Sequence, residues 1–159
     1  MSEIRSDTQD DRYTVQTGTR LLVQVPKGDA AKVMDAIISC DPLRWGDYDQ
    51  VGFTTATGVQ QFRSRPGGVN RASEAAVEVP CVEVQVFVPR TGAGLDPLLR
   101  AIYDVHPYEE PVIQLLAASR TRHIRGQDEG NPNRFWNRAD ADWVPDVHRS
   151  DGGVRAETA

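Results

Sequence analysis

Cys81-Val82-Glu83-Val84-Gln85-Val86-Phe87-Val88-Pro89-Arg90 is the stretch on which the fold turns. Valines at 82, 84, 86 and 88 alternate with Cys81, Glu83, Gln85 and Phe87, the two-residue period of a strand with one buried face. An earlier segment echoes it. Val23-Gln24-Val25-Pro26-Lys27 followed by Ala36-Ile37 returns as Val86-Phe87-Val88-Pro89-Arg90 followed by Ala101-Ile102. The chain therefore reads as one strand-helix-strand unit used twice. Two such units interleave into an α+β, ferredoxin-like βαββαβ sandwich, a four-stranded antiparallel sheet with two helices on one face.

The helices follow from the same reading. Ala30, Val33, Met34, Ile37 and Ile38 lie at i, i+3, i+4, i+7 and i+8, with Asp29 as the expected cap and Asp41-Pro42 as the stop. Leu95, Leu98, Leu99, Ile102 and Tyr103 repeat that stripe, and Pro97 is tolerated only in a first turn. Residues 19–26 read as the first strand and 112–116 as the last. Phe53-Thr54-Thr55 and the run 59–62, separated by Thr57-Gly58, predict a hairpin-like pair. Residues 63–75 have the Gly, Pro, Asn and Arg content of a loop.

Length and charge bound the rest. The 159 residues, 39% hydrophobic and 26% charged, suit one modest domain with polar extensions. Residues 19–118 are the expected domain, 1–18 a mobile leader, and 119–159 a polar arm. In that arm Phe135, Trp136, Trp143 and Val144 suggest docking over 131–148 with 150–159 disordered, and a wholly flexible tail is the alternative reading. No run approaches the roughly 18 apolar residues of a membrane span, and the first residues lack the apolar core of a signal peptide, so a soluble cytoplasmic protein is expected. A formal charge of -5 gives no general attraction to nucleic acid or to anionic lipid. Cys40 and Cys81 stand apart without a CxxC partner, which supports neither a disulfide scaffold nor a cysteine-rich zinc site.

The face of the sheet away from the helices would carry Arg20, Leu22, Gln24, Glu83, Gln85 and Phe87. Leu22 and Phe87 on an open sheet form an apolar patch, which predicts packing against other subunits.

The densest chemical cluster is His106-Pro107-Tyr108-Glu109-Glu110-Pro111, between the second helix and the last strand. As a site, His106 titrates near neutrality, Glu109 or Glu110 orients it, and Tyr108 donates to a ligand. As structure, His106 complements a helix carboxyl end while the prolines stop the helix and set the strand. Arg63-Ser64-Arg65-Pro66-Gly67-Gly68 can hold an anion, since paired glycines let backbone amides approach an oxyanion and arginines supply charge. It is equally an ordinary exposed loop, with no nucleotide-binding glycine motif. His106, His123 and His148 are too scattered for a metal motif. Asp140, Asp142 and Asp146 lack the glycine and terminal glutamate of a calcium loop.

Gly46-Asp47-Tyr48, Phe53-Thr54-Thr55, Gln61-Phe62-Arg63, Asn70 and the hexapeptide 106–111 together resemble the inserted domain of the Nif-three-like (NGG-interacting-factor) dinuclear-metal family, here standing alone. The module is similar to CutA divalent-cation-tolerance proteins and, more distantly, to PII-like signal proteins. The resemblance covers about residues 19–118. It implies a ferredoxin-like fold and a homotrimer with sheet faces turned inward. The flanking domains that hold the dinuclear metal in full-length relatives are not in this sequence, so their metal chemistry is not carried over.

The expected function is a non-enzymatic trimeric module that binds a small effector or a divalent cation in clefts between subunits. Glu83, His106, Tyr108 and Glu109 are the expected cleft residues, with Arg63 and Arg65 on a flexible effector loop. Two other classes remain open: a small hydrolase using His106 as base with Glu109 or Glu110, and a protein-interaction module using the arm.

Overall fold

The computed structural model describes residues 10–138 and 143–148, so the first half of the expected leader and all of 150–159 lie outside the described residues. The chain forms two units, Met1–His123 and Ile124–Ala159. The first contains β1 (Tyr13–Val25), α1 (Ala30–Cys40), β2 (Phe53–Thr54), β3 (Gly58–Phe62), β4 (Val77–Val88), α2 (Asp96–Val105) and β5 (Val112–His123). Strand order is β2-β4-β1-β5 with β3 also on β4, and every pairing is antiparallel. This is the ferredoxin-like order, with the two echoed strands, β1 and β4, side by side at its centre.

β1 pairs with β4 from Thr19↔Val88 to Val25↔Val82, and with β5 from Tyr13↔His123 to Gln24↔Val112. The expected boundaries at 18/19 and 118/119 thus fall inside a continuous ladder. Polar residues on both strands hid this extension, because the β1–β5 ribbon beyond Thr19 needs no apolar face to satisfy its backbone.

β2 and β3 do not form the expected hairpin with each other. Both pair with β4: Thr54 faces Val84 and Gly58 faces Cys81, so four steps along one strand span three along the other. They are one edge strand interrupted by a bulge. Thr55 bridges the gap, donating its N–H to the Glu83 carbonyl at 3.0 Å and accepting the Glu83 N–H on Oγ1 at 2.9 Å. The true hairpin is β3–β4, whose tip is the loop 63–76. Its base projects past β1, because Val77 to Cys81 pair with β3 alone, and there Pro80 removes no ladder bond to β1.

The core lies between the sheet and the helices. Leu21, Val23 and Val25 of β1 and Val82, Val84, Val86 and Val88 of β4 meet Val33 and Ile37 of α1 and Leu98 and Ile102 of α2. Each helix buries the stripe its spacing predicts, while Tyr103, at the margin of the second stripe, stays exposed. Pro97 sits in the first turn of α2, where its missing N–H costs nothing. Asp29 occupies the N-cap position of α1 but its side chain makes no capping bond. At the other end of α1, buried Asp41 accepts the Leu43 N–H at 2.8 Å and pairs with Arg90 at 3.3 Å.

Phe87 is not part of an exposed patch: it is 8% exposed. The Arg120 guanidinium lies 4.7 Å from its ring centroid and 4.9 Å from that of Trp45, and the two rings meet edge to face at 6.3 Å. Arg120 also donates to Gln16 Oε1 at 2.9 and 3.1 Å and to the Arg44 carbonyl at 2.8 Å. Gly18 makes room for the ring, since a Cβ there would stand 2.6 Å from Phe87 Cζ and 2.3 Å from the Val88 oxygen. The rest of this face stays open. Phe53 and Leu116 are 63% and 42% exposed, and Arg20, Gln85 and Glu83 form a hydrogen-bonded row between them.

In the second unit Asp128 accepts from Asn131 Nδ2 at 3.1 Å and from Arg134 at 2.8 Å. Trp136 Nε1 and Asn137 Nδ2 donate to the Glu129 carbonyl, and Phe135 meets Trp136 and Trp143 edge to face. This part of the predicted arm is a short, locally tied turn.

Candidate functional site

α2 ends at Val105, and the chain must then reverse to enter β5 at Val112. His106 makes that reversal. Only 8% exposed, it accepts the Tyr108 N–H on Nδ1 at 3.1 Å, which places the ring proton on Nε2. Nε2 then donates to the Gln24 carbonyl at the end of β1, 2.9 Å away. Both ring nitrogens are engaged by backbone, and the Tyr108 ring packs on the imidazole at 5.0 Å.

Opposite this corner stands the loop 63–76. Gly67 has φ +106°, a conformation that favours glycine, and the backbone beyond it approaches the hexapeptide. Glu109 Oε1 accepts the Val69 N–H at 3.0 Å, and a Cβ on Gly68 would lie 3.5 Å from the same oxygen. Within the loop, Ser73 donates its N–H to the Ser64 carbonyl at 3.1 Å. At the base, Gln60 on β3 donates to the Gln24 side chain at 2.9 Å.

Loop and corner enclose a cleft of about 770 Å³. Its lining includes Phe62, Arg63, Arg65, the Gly67-Gly68 backbone, Tyr108 and Glu109. Four of the six predicted site residues, Arg63, Arg65, Tyr108 and Glu109, therefore share one cavity. His106 stands behind Tyr108 rather than on the wall. Glu83 lies on the open sheet face, where its carboxylate accepts from Gln85 Nε2 at 2.8 Å. Phe62 and Asn70 entered the sequence reading only through the motifs that carry the family resemblance, not as site residues, and Gln60 was signalled only by its place in an edge strand.

Burial pushes the Tyr108 phenol above its ordinary pKa of 10.0, and the nearby Cys81 and Asp29 add to the shift. The phenol is thus a neutral hydrogen-bond donor across physiological pH. Arg63 and Arg65 supply two guanidiniums suited to carboxylate or phosphate oxygens, on a loop that also offers glycine amides. Among the described residues no group of three His, Cys, Asp or Glu side chains gathers to hold a metal ion. Among them, too, no helix is long and apolar enough to cross a membrane.

Comparison with known proteins agrees on the fold. No family model and no curated protein matches the sequence. Among solved structures, a Bacillus cereus protein related to NIF3 superposes with a TM-score of 0.55 at 20% identity, over 67% of this chain and 27% of that one. CutA1 from Pyrococcus horikoshii matches at a TM-score of 0.37 and 15% identity, over 63% of this chain and 82% of that one. A PII-like protein from Thiomonas intermedia K12, solved with ADP, AMP and bicarbonate, matches at 0.40 and 11%, over 70% of this chain and all of that one. At such identities the likeness is one of fold alone, and it rests on the superposition with the NIF3-related protein. The chain spans 27% of the NIF3-related protein's length, so it is similar to one module of that protein and not to the whole.

Proposed function

We propose that this chain is a non-enzymatic effector-binding module that assembles as a trimer and takes a small anion into the cleft between the loop 63–76 and the hexapeptide 106–111. The observation that carries the reading is the convergence of Arg63 and Arg65 with the Tyr108 phenol and the Gly67-Gly68 backbone on one cavity. Its volume of about 770 Å³ lies within the ordinary range for small-molecule sites. A guanidinium pair favours an anion over a divalent cation as the primary ligand.

The binding reading is also supported by what His106 does. A general base needs a lone pair facing substrate, and here Nδ1 is taken by the Tyr108 amide. His106 is better suited to hold Tyr108 in place than to move a proton. Self-association is supported by the open sheet face, whose exposed Phe53 and Leu116 flank a polar row that a second copy could cover. In a trimer with these faces inward, each cleft would lie near a subunit boundary, as the notion of a shared effector site requires.

The test is equilibrium binding of inorganic phosphate and of a small dicarboxylate, measured calorimetrically. The wild type binds at least one of them, and the double variant Arg63→Ala/Arg65→Ala loses about tenfold or more in affinity while keeping its far-UV spectrum. Equal affinity in the two proteins would remove the arginine pair from the site. Saturable binding of Mg²⁺ or Cu²⁺ with no anion binding would favour the cation reading instead.

A further inference from the structure

The hexapeptide carries two glutamates into a cleft whose other wall carries two arginines, and on charge alone Glu109 works against an anionic ligand. Its geometry gives it another task. Glu109 is an exposed side chain, yet its Oε1 accepts the Val69 N–H at 3.0 Å, across 40 residues of chain. Among the described residues no other hydrogen bond ties the loop 63–76 to the corner 106–111. The loop's remaining tie is internal, from Ser73 to Ser64, which closes its neck but leaves its tip unanchored. Val69 itself is 89% exposed and contributes no packing that would hold the tip.

From this we infer that Glu109 is a positioning residue that clamps the effector loop over the cleft, so that an acidic side chain serves an anion site by geometry. The inference deepens the anion-binding reading and rests on it for its second arm only. Of the loop's three arginines, Arg63 and Arg65 precede its turn and line the cleft, and a loop that swings free loses the preorganisation that lets two guanidiniums meet one ligand at once. His106 completes the device. By accepting the Tyr108 N–H and meeting its ring edge to face, it sets the backbone from which Glu109 reaches. The corner is thus rigid, the loop is held at one point, and the lone carboxylate oxygen at that point sets the loop's position.

Two variants separate clamp from charge. Glu109→Gln keeps an acceptor oxygen and removes the charge, whereas Glu109→Ala removes both. Trypsin reads the loop without any ligand, since it cuts after Arg63 and Arg71 but not after Arg65, which precedes Pro66. The clamp predicts cleavage at Arg63 and Arg71 about fivefold faster in Glu109→Ala, near wild-type rates in Glu109→Gln, and unchanged cleavage after Arg100 in α2. Wild-type cleavage rates in Glu109→Ala would overturn it. If Glu109→Ala is cut faster everywhere, amide exchange in the wild type decides instead. Normalised to the intrinsic rate of each residue type, the Val69 amide should be protected several-fold more than those of Gly67 and Gly68, and equal protection overturns the clamp.

In the second arm, inorganic phosphate is titrated into all three proteins. A clamp predicts several-fold weaker binding in Glu109→Ala and equal or tighter binding in Glu109→Gln, whereas a purely electrostatic glutamate predicts tighter binding in both and would overturn it. Absence of phosphate binding in the wild type would count against the anion reading and leave the clamp to be judged by proteolysis and exchange.

Discussion

Tyr108 sits in an environment that alters its titration. Its phenol is held above the ordinary 10.0, mainly by burial and further by Cys81 and Asp29. The sign of the linkage is direct. Above pH 10 the unfolded chain gives up the phenol proton before the folded chain does, so the folded state binds more protons and stability falls as pH rises. The stabilisation associated with the neutral phenol is complete below the unfolded pKa and is lost as pH climbs through the folded one. Tyr108→Phe should therefore show a shallower loss of stability above pH 10 than the wild type, read from urea midpoints across that range. Parallel pH profiles would show that the phenol is freely solvated. The neighbouring His106 illustrates how a residue can be legible by type and not by role. Its imidazole, a candidate base in sequence, has both nitrogens turned to backbone, and nothing local in the hexapeptide announces the Gln24 carbonyl 82 residues away.

At the scale of elements, the strands and helices that bury one face were readable because burial imposes a period. Val82 to Val88, the stripe from Val33 to Ile37 and the stripe from Leu98 to Ile102 all sit in the core as their spacing requires. What was not readable were elements set by partners rather than by period. The bulged edge formed by β2 and β3 looks like a hairpin because Thr57-Gly58 is good turn chemistry, yet β4 supplies a backbone ladder to both segments. Phe87 looked like part of an exposed patch because its cover comes from Trp45 in a distant loop and from Arg120 at the end of β5. That cover has an energetic consequence. Burial lowers the Arg120 pKa from its ordinary value, and nearby Arg122 adds to this, but the guanidinium stays charged and lies against two rings. Arg120→Ala should cost about 2 kcal/mol, from its cation–π contacts with Trp45 and Phe87 and its bonds to Gln16 and the Arg44 carbonyl. It should also shift the Trp45 indole resonance, while Arg120→Lys recovers only part of both effects because an ammonium cannot present the planar fork. An unchanged urea midpoint in Arg120→Ala would mean that Phe87 and Trp45 hold the loop without it.

For the whole molecule, the ferredoxin-like fold was legible from an internal echo, and the cleft was legible in its chemistry but not in its assembly. Arg63 and Arg65 could be seen as anion ligands and the hexapeptide as a cluster, but only the β3–β4 hairpin, projecting past β1, brings one to the other. Glu83, in contrast, sits in the clearest strand of the sequence, and strand parity places its side chain on the open sheet face, one rung from the end of the β1–β4 ladder, rather than on the cleft wall. The ladder reaching His123 also fixes where the arm can be removed. A deletion beginning at residue 119 would strip five paired residues from β5, so a truncation that tests the arm belongs after His123.

The central claim joins three things: an open sheet face that self-associates, a cleft near the resulting boundary, and a small anion bound there by Arg63 and Arg65. Native mass spectrometry of the full chain reads the three together. Sprayed with inorganic phosphate, the wild type should appear as a trimer carrying discrete anion adducts, and Arg63→Ala/Arg65→Ala as a trimer without them. A monomer with no adduct at any phosphate concentration would contradict both the assembly and the site.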